Sequence, residues 1–195
     1  LPLPEEKKFA GKGVHYCELC DGHMYQDKVI AVMGGGNAAV DAANFLSKYA
    51  SKLYLIHRSD FRADEISQKR LKENPKAEIF LQTEIKSLQG DGRLESIEVL
   101  DKVTGETRSL SVDGIFVNIG VVPNTELYKE ELPLTPGGRI EAGEDCRTAI
   151  PGVFAAGDVR EKEIRQLTTA AADGTAAALL AEKYLVKLKE GNPVW

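Results

Sequence analysis

Cysteine, excess basic charge and long apolar runs are all scarce in this sequence, and each shortage excludes a class of protein. Three cysteines in 195 residues are too few for the disulfide framework of a small secreted domain. A formal net charge of −5 argues against nonspecific nucleic-acid binding, which requires a basic surface. No segment approaches the roughly 20 apolar residues of a membrane helix, and the first residues lack the apolar segment of a signal peptide. We therefore expect a cytoplasmic protein whose partners are neither nucleic acids nor membranes.

Two of the three cysteines, Cys17 and Cys20, form a Cys-x-x-Cys pair. In a cytoplasmic protein such a pair is more often redox-active or metal-binding than structural. His15 and His23 flank the pair, but four ligands between residues 15 and 23 do not match a zinc-finger spacing, so we predict no metal site. Asp21 follows directly. Its negative charge does not activate a neighbouring thiolate, but its carboxyl group can exchange protons with the pair.

A buried strand, a glycine-rich turn and a helix follow the cysteine pair. Val29–Met33 is a short apolar run that three glycines close, which indicates a strand entering a turn. Apolar residues then recur at helical spacing over Asn37–Tyr49, and Lys52–His57 has the composition of a second strand. Strand, turn, helix and strand make a βαβ unit, in which the two strands are parallel. The sequence therefore predicts an α/β fold with a Rossmann-like nucleotide-binding domain.

The turn has the pattern Gly-x-Gly-x-x-Ala, which is typical of dinucleotide sites. Gly34 permits the tight turn, Gly36 lets the backbone approach a pyrophosphate, and Ala39 is small enough for the helix to pack on the strand. Free N–H groups and the helix dipole favour an anion at this helix N-terminus. An ordinary glycine turn is the alternative interpretation. The predicted binding loop consists of Gly34, Gly35, Gly36, Asn37, Ala38 and Ala39.

The charged segment after the second strand bears on which nucleotide binds. An NAD site usually carries Asp or Glu about 20 residues after the glycine loop, to bind the ribose 2′-OH. This sequence has Arg58 and Arg62 there, and both can hold a 2′-phosphate by charge-assisted hydrogen bonds. Asp60 opposes that interpretation, and a solvated charged loop is the alternative. We predict NADPH as the nucleotide, with His57, Arg58, Ser59 and Arg62 in its site.

The rest of the chain predicts further elements and a domain boundary. Residues 1–12 are polar and rich in proline, so they are interpreted as a linker or an incomplete beginning. The Pro-Asn turn in "VVPNT" marks a predicted boundary between domains at 1–122 and 123–195. A second helix over Ala63–Pro75 and several strands precede it. Beyond it, "GVFAAGDV" has the composition of a strand, and the alanine-rich Thr168–Leu188 predicts a long helix.

Six segments of the sequence carry a resemblance to a known family. They are "GVHYCELCDG", "GGGNAAVDAA", "LIHRSDFRA", "VNIGVVPNT", "TAIPGVFAAGDV" and "EIRQLTTAAADG". In this order they resemble the low-molecular-weight bacterial thioredoxin reductase family, over essentially the whole chain. The resemblance implies a flavoprotein with two dinucleotide-binding domains. Here the nicotinamide domain, which carries the dithiol, would be followed by the C-terminal segment of the FAD-binding domain.

The resemblance also implies an activity, which is a flavin-dependent disulfide oxidoreductase. Electrons would pass from NADPH through FAD to the Cys17–Cys20 disulfide and then to thioredoxin or a similar small dithiol protein. Cys20 would face the flavin, Cys17 would attack the partner, and Asp21 would be the acid–base group. The family is typically homodimeric. The further cofactor-binding residues that it implies are Gly120, Gly157, Asp158, Arg165, Gln166 and Leu167.

The sequence departs from the family pattern in two places. Family members begin with an FAD-binding βαβ unit that has its own glycine loop, whereas this sequence contains one loop, so we expect the N-terminal FAD half to be lacking. In the His-Arg-Arg signature of the family, Ser59 replaces the second arginine. Two alternatives therefore stay open. One is a ferredoxin-linked or peroxide-system flavoprotein disulfide reductase, and the other is a non-catalytic nucleotide-binding fragment.

Overall fold

The computed structural model describes residues 3–191, and the chain separates into two compact units. Unit 1 is Leu1–Gly120 and unit 2 is Val121–Trp195. The helices of unit 1 are α1 (Glu6–Phe9), α2 (Glu18–Asp21), α3 (Asn37–Leu46) and α4 (Glu65–Lys72). Its strands are β1 (Val14–His15), β2 (Val29–Met33), β3 (Lys52–Ile56), β4 (Ala77–Phe80), β5 (Thr83–Gln89), β6 (Ser96–Asp101), β7 (Thr107–Ser111) and β8 (Gly114–Val117).

A five-stranded parallel sheet forms the centre of unit 1, in the order β1-β8-β2-β3-β4. β2 pairs with β3 from Val29 opposite Lys52 to Met33 opposite Ile56, and α3 connects the two strands. The predicted βαβ unit and the Rossmann-like α/β class are therefore confirmed. β2 lies inside the sheet between β3 and β8, which explains why its residues read as a continuous apolar run.

The two faces of the parallel sheet are covered by different layers. Ile30 and Val32 point to one face and pack in a cluster with α3 residues such as Val40 and Leu46. Ala31, between them, belongs to a second cluster on the opposite face, as the alternation of strand side chains requires. That second cluster includes residues of an antiparallel sheet in the order β5-β6-β7. The parallel sheet is thus buried on both sides.

The segment before β1 is part of this second cluster. Phe9, the last residue of α1, is fully buried there. The prediction of a linker over residues 1–12 is therefore wrong for residues 6–9, although residues 1 and 2 lie outside the described part. The short helix α1 is not predictable from periodicity because only one of its four residues, Phe9, is apolar. That residue is the only one of the helix that is buried in the core.

Unit 2 consists mainly of turns, isolated bridges and one long helix, α5 (Leu167–Lys189). The predicted helix over Thr168–Leu188 is confirmed. The predicted strand in "GVFAAGDV" is wrong, because Phe154 makes a single bridge to Arg147 and Gly157–Val159 forms a 3-10 turn. An apolar run becomes a strand only where a neighbouring strand pairs with its backbone. Between residues 3 and 191, no helix has both the length and the apolar character to cross a membrane.

Candidate functional site

A cavity of about 510 Å³ opens where β2, β3 and β8 end at one edge of the parallel sheet. Ligands of open α/β sheets bind at this kind of edge, beyond the carboxyl ends of the strands. The lining residues are Leu3, Met33, Gly34, Gly35, Gly36, Asn37, Ala38, Ile56, His57, Arg58, Arg62, Thr83, Glu84, Ile85, Asn118, Ile119 and Gly120. The fold thus brings together eight of the residues predicted for the nucleotide site and a further predicted cofactor-binding residue, Gly120.

The first two glycines of the loop are required by the fold itself. Gly34 has a φ of +142°, and a Cβ on it would lie 2.3 Å from the backbone oxygen of Asn118. A Cβ on Gly35 would lie 2.1 Å from Cδ2 of His57. Neither position tolerates a side chain without displacing its neighbour. The packing of the loop is therefore enough to explain glycine at these two positions, and they are no evidence for a ligand.

The third glycine, Gly36, is different. Among the described residues nothing lies within 4 Å of a Cβ built on Gly36, and its φ of −90° is open to any amino acid. Gly36 precedes α3 as its N-cap, where Ser, Thr, Asp and Asn cap a helix at least as well as glycine. The fold gives no reason for glycine here, whereas close approach of a ligand to the backbone does. The open space beside Gly36 is part of the cavity.

The remaining loop residues fix the start of α3. Ala39 is fully buried, and its Cβ lies 2.6 Å from where a Cβ on Gly34 would be, so both residues must be small. The Asn37 side chain accepts a hydrogen bond from the Asp64 backbone N–H at 2.8 Å and donates one to the Asp64 carboxylate at 2.9 Å. Asn37 therefore ties α3 to the residue that caps α4. Its side chain is engaged in the scaffold, while its backbone lies at the first turn of α3.

The predicted 2′-phosphate residues lie at the side of the cavity formed after β3. Arg58 and Arg62 line it, and the Arg62 backbone N–H donates to the Gly35 oxygen at 2.8 Å. The pKa of His57 is lowered by burial and by the charges of Arg62 and Arg58, which favours a neutral ring near pH 7. Ser59 does not line the cavity and instead has its Oγ 3.0 Å from Nε2 of His57. Two arginines thus supply the positive charge at this side.

The cysteine pair lies on the surface of unit 1. Cys17 and Cys20 form a disulfide with their Cα atoms 5.3 Å apart. Cys17 caps α2, a helix that buries none of its four residues. Cys20 is exposed, Cys17 is half-buried, and Asp21 ends the helix with its side chain 33% exposed. No cluster of side chains able to hold a metal ion occurs in the described ranges.

Five of the predicted cofactor residues belong to unit 2. Gly157 and Asp158 lie in the 3-10 turn, Gln166 is the N-cap of α5, and Leu167, its first residue, is 85% exposed. The Arg165 guanidinium is 3.5 Å from the Glu161 carboxylate. These residues are close in sequence to one another but belong to a different unit from the cavity beside Gly36.

A buried ion pair supports the 3-10 turn of unit 2. The Asp173 carboxylate accepts two hydrogen bonds from Arg160, through Nε and Nη2 at 2.8 Å each. It also accepts hydrogen bonds from Lys162 at 2.8 Å and from the Gly157 backbone N–H at 2.9 Å. The Arg160 hydrogen bonds, followed by those from Lys162 and Gly157, hold the pKa of Asp173 well below its usual range. Asp173 therefore fixes the Gly157 backbone from inside α5.

Sequence reasoning missed several residues of both sites. Asn118 follows β8, and Thr83, Glu84 and Ile85 begin β5, so all four reach the cavity through non-local pairing. The rule that parallel strands end at a common edge points to Asn118 once β8 is placed beside β2. No sequence pattern indicates that Arg160 and Lys162 contact Asp173, or that His15 contacts Asp21.

Comparison with known proteins gives a consistent result. The sequence model of the family described as "Pyridine nucleotide-disulphide oxidoreductase" matches residues 1–174. The chain is 50% identical over 186 residues to the "34.2 kDa protein in rubredoxin operon" of Clostridium pasteurianum, covering 95% of this chain and 60% of the relative. It is 40% identical to the thioredoxin reductase of Streptomyces clavuligerus, covering 100% of this chain and 61% of that protein.

A solved structure shows the same likeness in three dimensions. The thioredoxin reductase of Streptococcus pyogenes superposes with a TM-score of 0.91 at 34% identity, covering 96% of this chain and 62% of that one. The chain therefore spans about 60% of the length of the curated relatives it matches.

Proposed function

Because the chain belongs to the pyridine nucleotide-disulphide oxidoreductase family, we propose that it is the nucleotide-binding and dithiol-bearing part of an NADPH-dependent thioredoxin reductase. In this proposal unit 1 binds NADPH in the cavity beside Gly36. The Cys17–Cys20 disulfide receives an electron pair and passes it to thioredoxin. The relatives named thioredoxin reductase support this proposal through identities of 40% and 34%.

The observation that carries the proposal is the empty space at Gly36. A glycine that the fold does not need, at the N-terminus of a ten-residue helix and at the wall of a cavity, fits close approach of a pyrophosphate. The first N–H groups of α3 have no partner within the helix and are available to phosphate oxygens. Arg58 and Arg62 fit the 2′-phosphate that distinguishes NADPH from NADH.

FAD would supply the transfer of electrons between the nucleotide and the disulfide. Two electrons and two protons convert the Cys17–Cys20 disulfide into two thiols, and Asp21 is the proposed group that gives or takes one of these protons. In unit 2 the proposed FAD-binding residues are Gly157, Asp158, Arg165, Gln166 and Leu167, and Gly120 completes the proposed cofactor set in unit 1. A homodimer, a cytoplasmic location, and domain limits of 1–122 and 123–195 remain parts of the proposal.

A titration of the 195-residue chain with NADPH and NADH tests the nucleotide site. We expect NADPH to bind more tightly than NADH. The substitution Gly36→Ala should weaken the binding of both nucleotides at least tenfold, while the chain still folds. The matched control is Gly174→Ala, because Gly174 in α5 also has nothing described within 4 Å of its Cβ position and lies outside the cavity. Equal binding by wild type and Gly36→Ala would refute the proposed site.

A second candidate function rests on Ser59. The family signature has an arginine at this position, whereas the Ser59 hydroxyl interacts with His57 and adds no charge to the cavity. A flavoprotein disulfide reductase that takes electrons from ferredoxin, or serves a peroxide-reducing system, would not need strong recognition of the 2′-phosphate. In the titration, this function predicts equal and weak binding of NADPH and NADH.

A further inference from the structure

His15 is bound through both nitrogens of its ring. Nδ1 lies 2.9 Å from Oδ2 of Asp21, and Nε2 lies 2.6 Å from the hydroxyl of Tyr25. The ring is stacked on Phe116 with centroids 5.3 Å apart and an interplanar angle of 26°, and the edge of Tyr25 meets it at 77°. His15 is 5% exposed. The ring is therefore confined by two hydrogen bonds and two aromatic contacts.

The chemistry of the partners determines the direction of these hydrogen bonds. Burial, followed by the negative charge of Asp21, raises the pKa of Tyr25 to about 12, so its phenol keeps the proton and donates it. An ionised Asp21 carboxylate can only accept. In the neutral ring, Nε2 of His15 therefore accepts from Tyr25, while Nδ1–H donates to Asp21. The chain of hydrogen bonds runs in one direction, from the buried Tyr25 through His15 to the carboxylate of Asp21, which directly follows Cys20 in the sequence.

The two ends of this chain differ in how firmly they are held. His15 lies in β1, which pairs with β8 so that His15 is opposite Phe116. Tyr25 fits over Gly114, where a Cβ would lie 2.4 Å from its ring. Asp21, in contrast, belongs to α2, which contributes no buried residue to the described core. The hydrogen bond from His15 therefore links α2, which has no buried residue, to the buried core of the parallel sheet.

We propose that His15 is the positioning residue for Asp21, holding Oδ2 so that Oδ1 exchanges a proton with the Cys17–Cys20 dithiol. This proposal rests on the proposed function, in which Asp21 is the acid–base group. When one reduced cysteine attacks a disulfide, its S–H bond breaks and the proton passes to Asp21, while a new S–S bond forms and a thiolate leaves. The S–S bond of the attacked disulfide breaks, and the leaving thiolate takes the proton that Asp21 received. The second cysteine then repeats the exchange on the mixed disulfide, which releases the second thiol and closes the Cys17–Cys20 disulfide.

Two substitutions of His15 separate its two hydrogen bonds. An asparagine amide nitrogen can take the place of Nδ1 and keep the hydrogen bond to Asp21. A glutamine amide can take the place of Nε2 and keep the hydrogen bond with Tyr25, but it loses the hydrogen bond to Asp21. The two variants remove the same aromatic ring, so a difference between them does not come from lost stacking. His23→Gln is the matched control, because His23 is exposed and lies two residues beyond Asp21.

The test uses the reduced 195-residue chain and oxidised glutathione, with closure of the Cys17–Cys20 disulfide followed by thiol labelling. In the net reaction two protein thiols form a disulfide and one oxidised glutathione gives two reduced glutathiones, so electrons and protons balance. We expect Asp21→Asn to slow closure about a hundredfold, the lower end of general acid–base contributions, and His15→Gln to lose a large part of that factor, about tenfold or more. His15→Asn should recover most of the rate lost in His15→Gln, and His23→Gln should match wild type.

Three outcomes would overturn the proposal. If Asp21→Asn slows closure but His15→Gln does not, His15 has no positioning role and Asp21 keeps its proposed one. If neither variant is slower, the acid–base role of Asp21 fails as well. If the His15 variants do not fold, nitrogen-15 NMR of the wild-type ring decides, because the proposal requires the proton on Nδ1 and a proton on Nε2 alone would refute it. The test contains no nucleotide or flavin, so its result is independent of NADPH binding.

Discussion

The buried pair in unit 2 gives the most quantitative prediction, through the substitution Asp173→Asn. Asp173 is 6% exposed and accepts four hydrogen bonds, and its main partner Arg160 is 2% exposed. An asparagine removes the negative charge, and its N–H₂ group replaces one of the two carboxylate oxygens that accept hydrogen bonds from Arg160. Leaving a buried charge without its partner costs about 3–5 kcal/mol. With an m-value of about 2 kcal/mol per M in urea, the unfolding midpoint of unit 2 should fall by about 2 M.

The matched control for this experiment is Glu144→Gln. Glu144 also pairs with Arg160, at 3.2 Å, but its side chain is 92% exposed. An exposed pair contributes about 0–1 kcal/mol, so the midpoint should hardly move. Far-ultraviolet circular dichroism during urea unfolding follows the 23-residue helix α5, the longest helix in the described chain. Equal midpoints for the two variants would show that burial of Asp173 does not determine its contribution.

Three further predictions concern both units. Gly35→Ala should destabilise unit 1 by about 1–3 kcal/mol, because its Cβ would lie 2.1 Å from His57; urea unfolding measures this, and an unchanged midpoint would contradict it. Arg58→Ala should weaken the binding of NADPH by about 1.5–3 kcal/mol, the range of a hydrogen bond to a charged group, and leave the binding of NADH nearly unchanged in calorimetric titrations. Equal losses of binding free energy for the two nucleotides would show that Arg58 does not contact the 2′-phosphate. The folded-state pKa of Asp173 is lowered, so its contribution is complete above the unfolded value of about 3.9 and is lost as the pH falls below it. The acid-induced loss of stability should therefore be smaller in Asp173→Asn than in wild type.

Local pattern is sufficient to predict the central elements of the parallel sheet in unit 1. Val29–Met33 was predicted as a strand and is β2 with the same bounds. The helix predicted over Asn37–Tyr49 ends at Leu46. In the next turn, hydrogen bonds join residues three apart and not four, such as the one that the Lys48 N–H donates to the Phe45 oxygen. Helix ends depend on such details and are less predictable than helix centres.

Contacts between distant residues were not predictable from the same patterns. Asp173 and Arg160 are 13 residues apart, in a helix and in the segment before it, and periodicity does not show that both are buried. Sequence spacing places His15 near the cysteines, where it suggests a metal ligand, but it does not place the ring beside Tyr25 and Phe116. The apolar run around Phe154 was mistaken for a strand because composition does not reveal whether a partner strand is present.

Binding of a nicotinamide nucleotide in the cavity beside Gly36 can be observed residue by residue in a two-dimensional nitrogen-15 NMR spectrum of the 195-residue chain, recorded with and without NADP⁺. If the nucleotide binds there, we expect the amide signals of Gly35, Gly36 and Asn37 to move most, and the Arg58 side-chain signal to move with NADP⁺ but not with NAD⁺. Unchanged signals in this loop at saturating nucleotide, or changes confined to other surfaces, would contradict it.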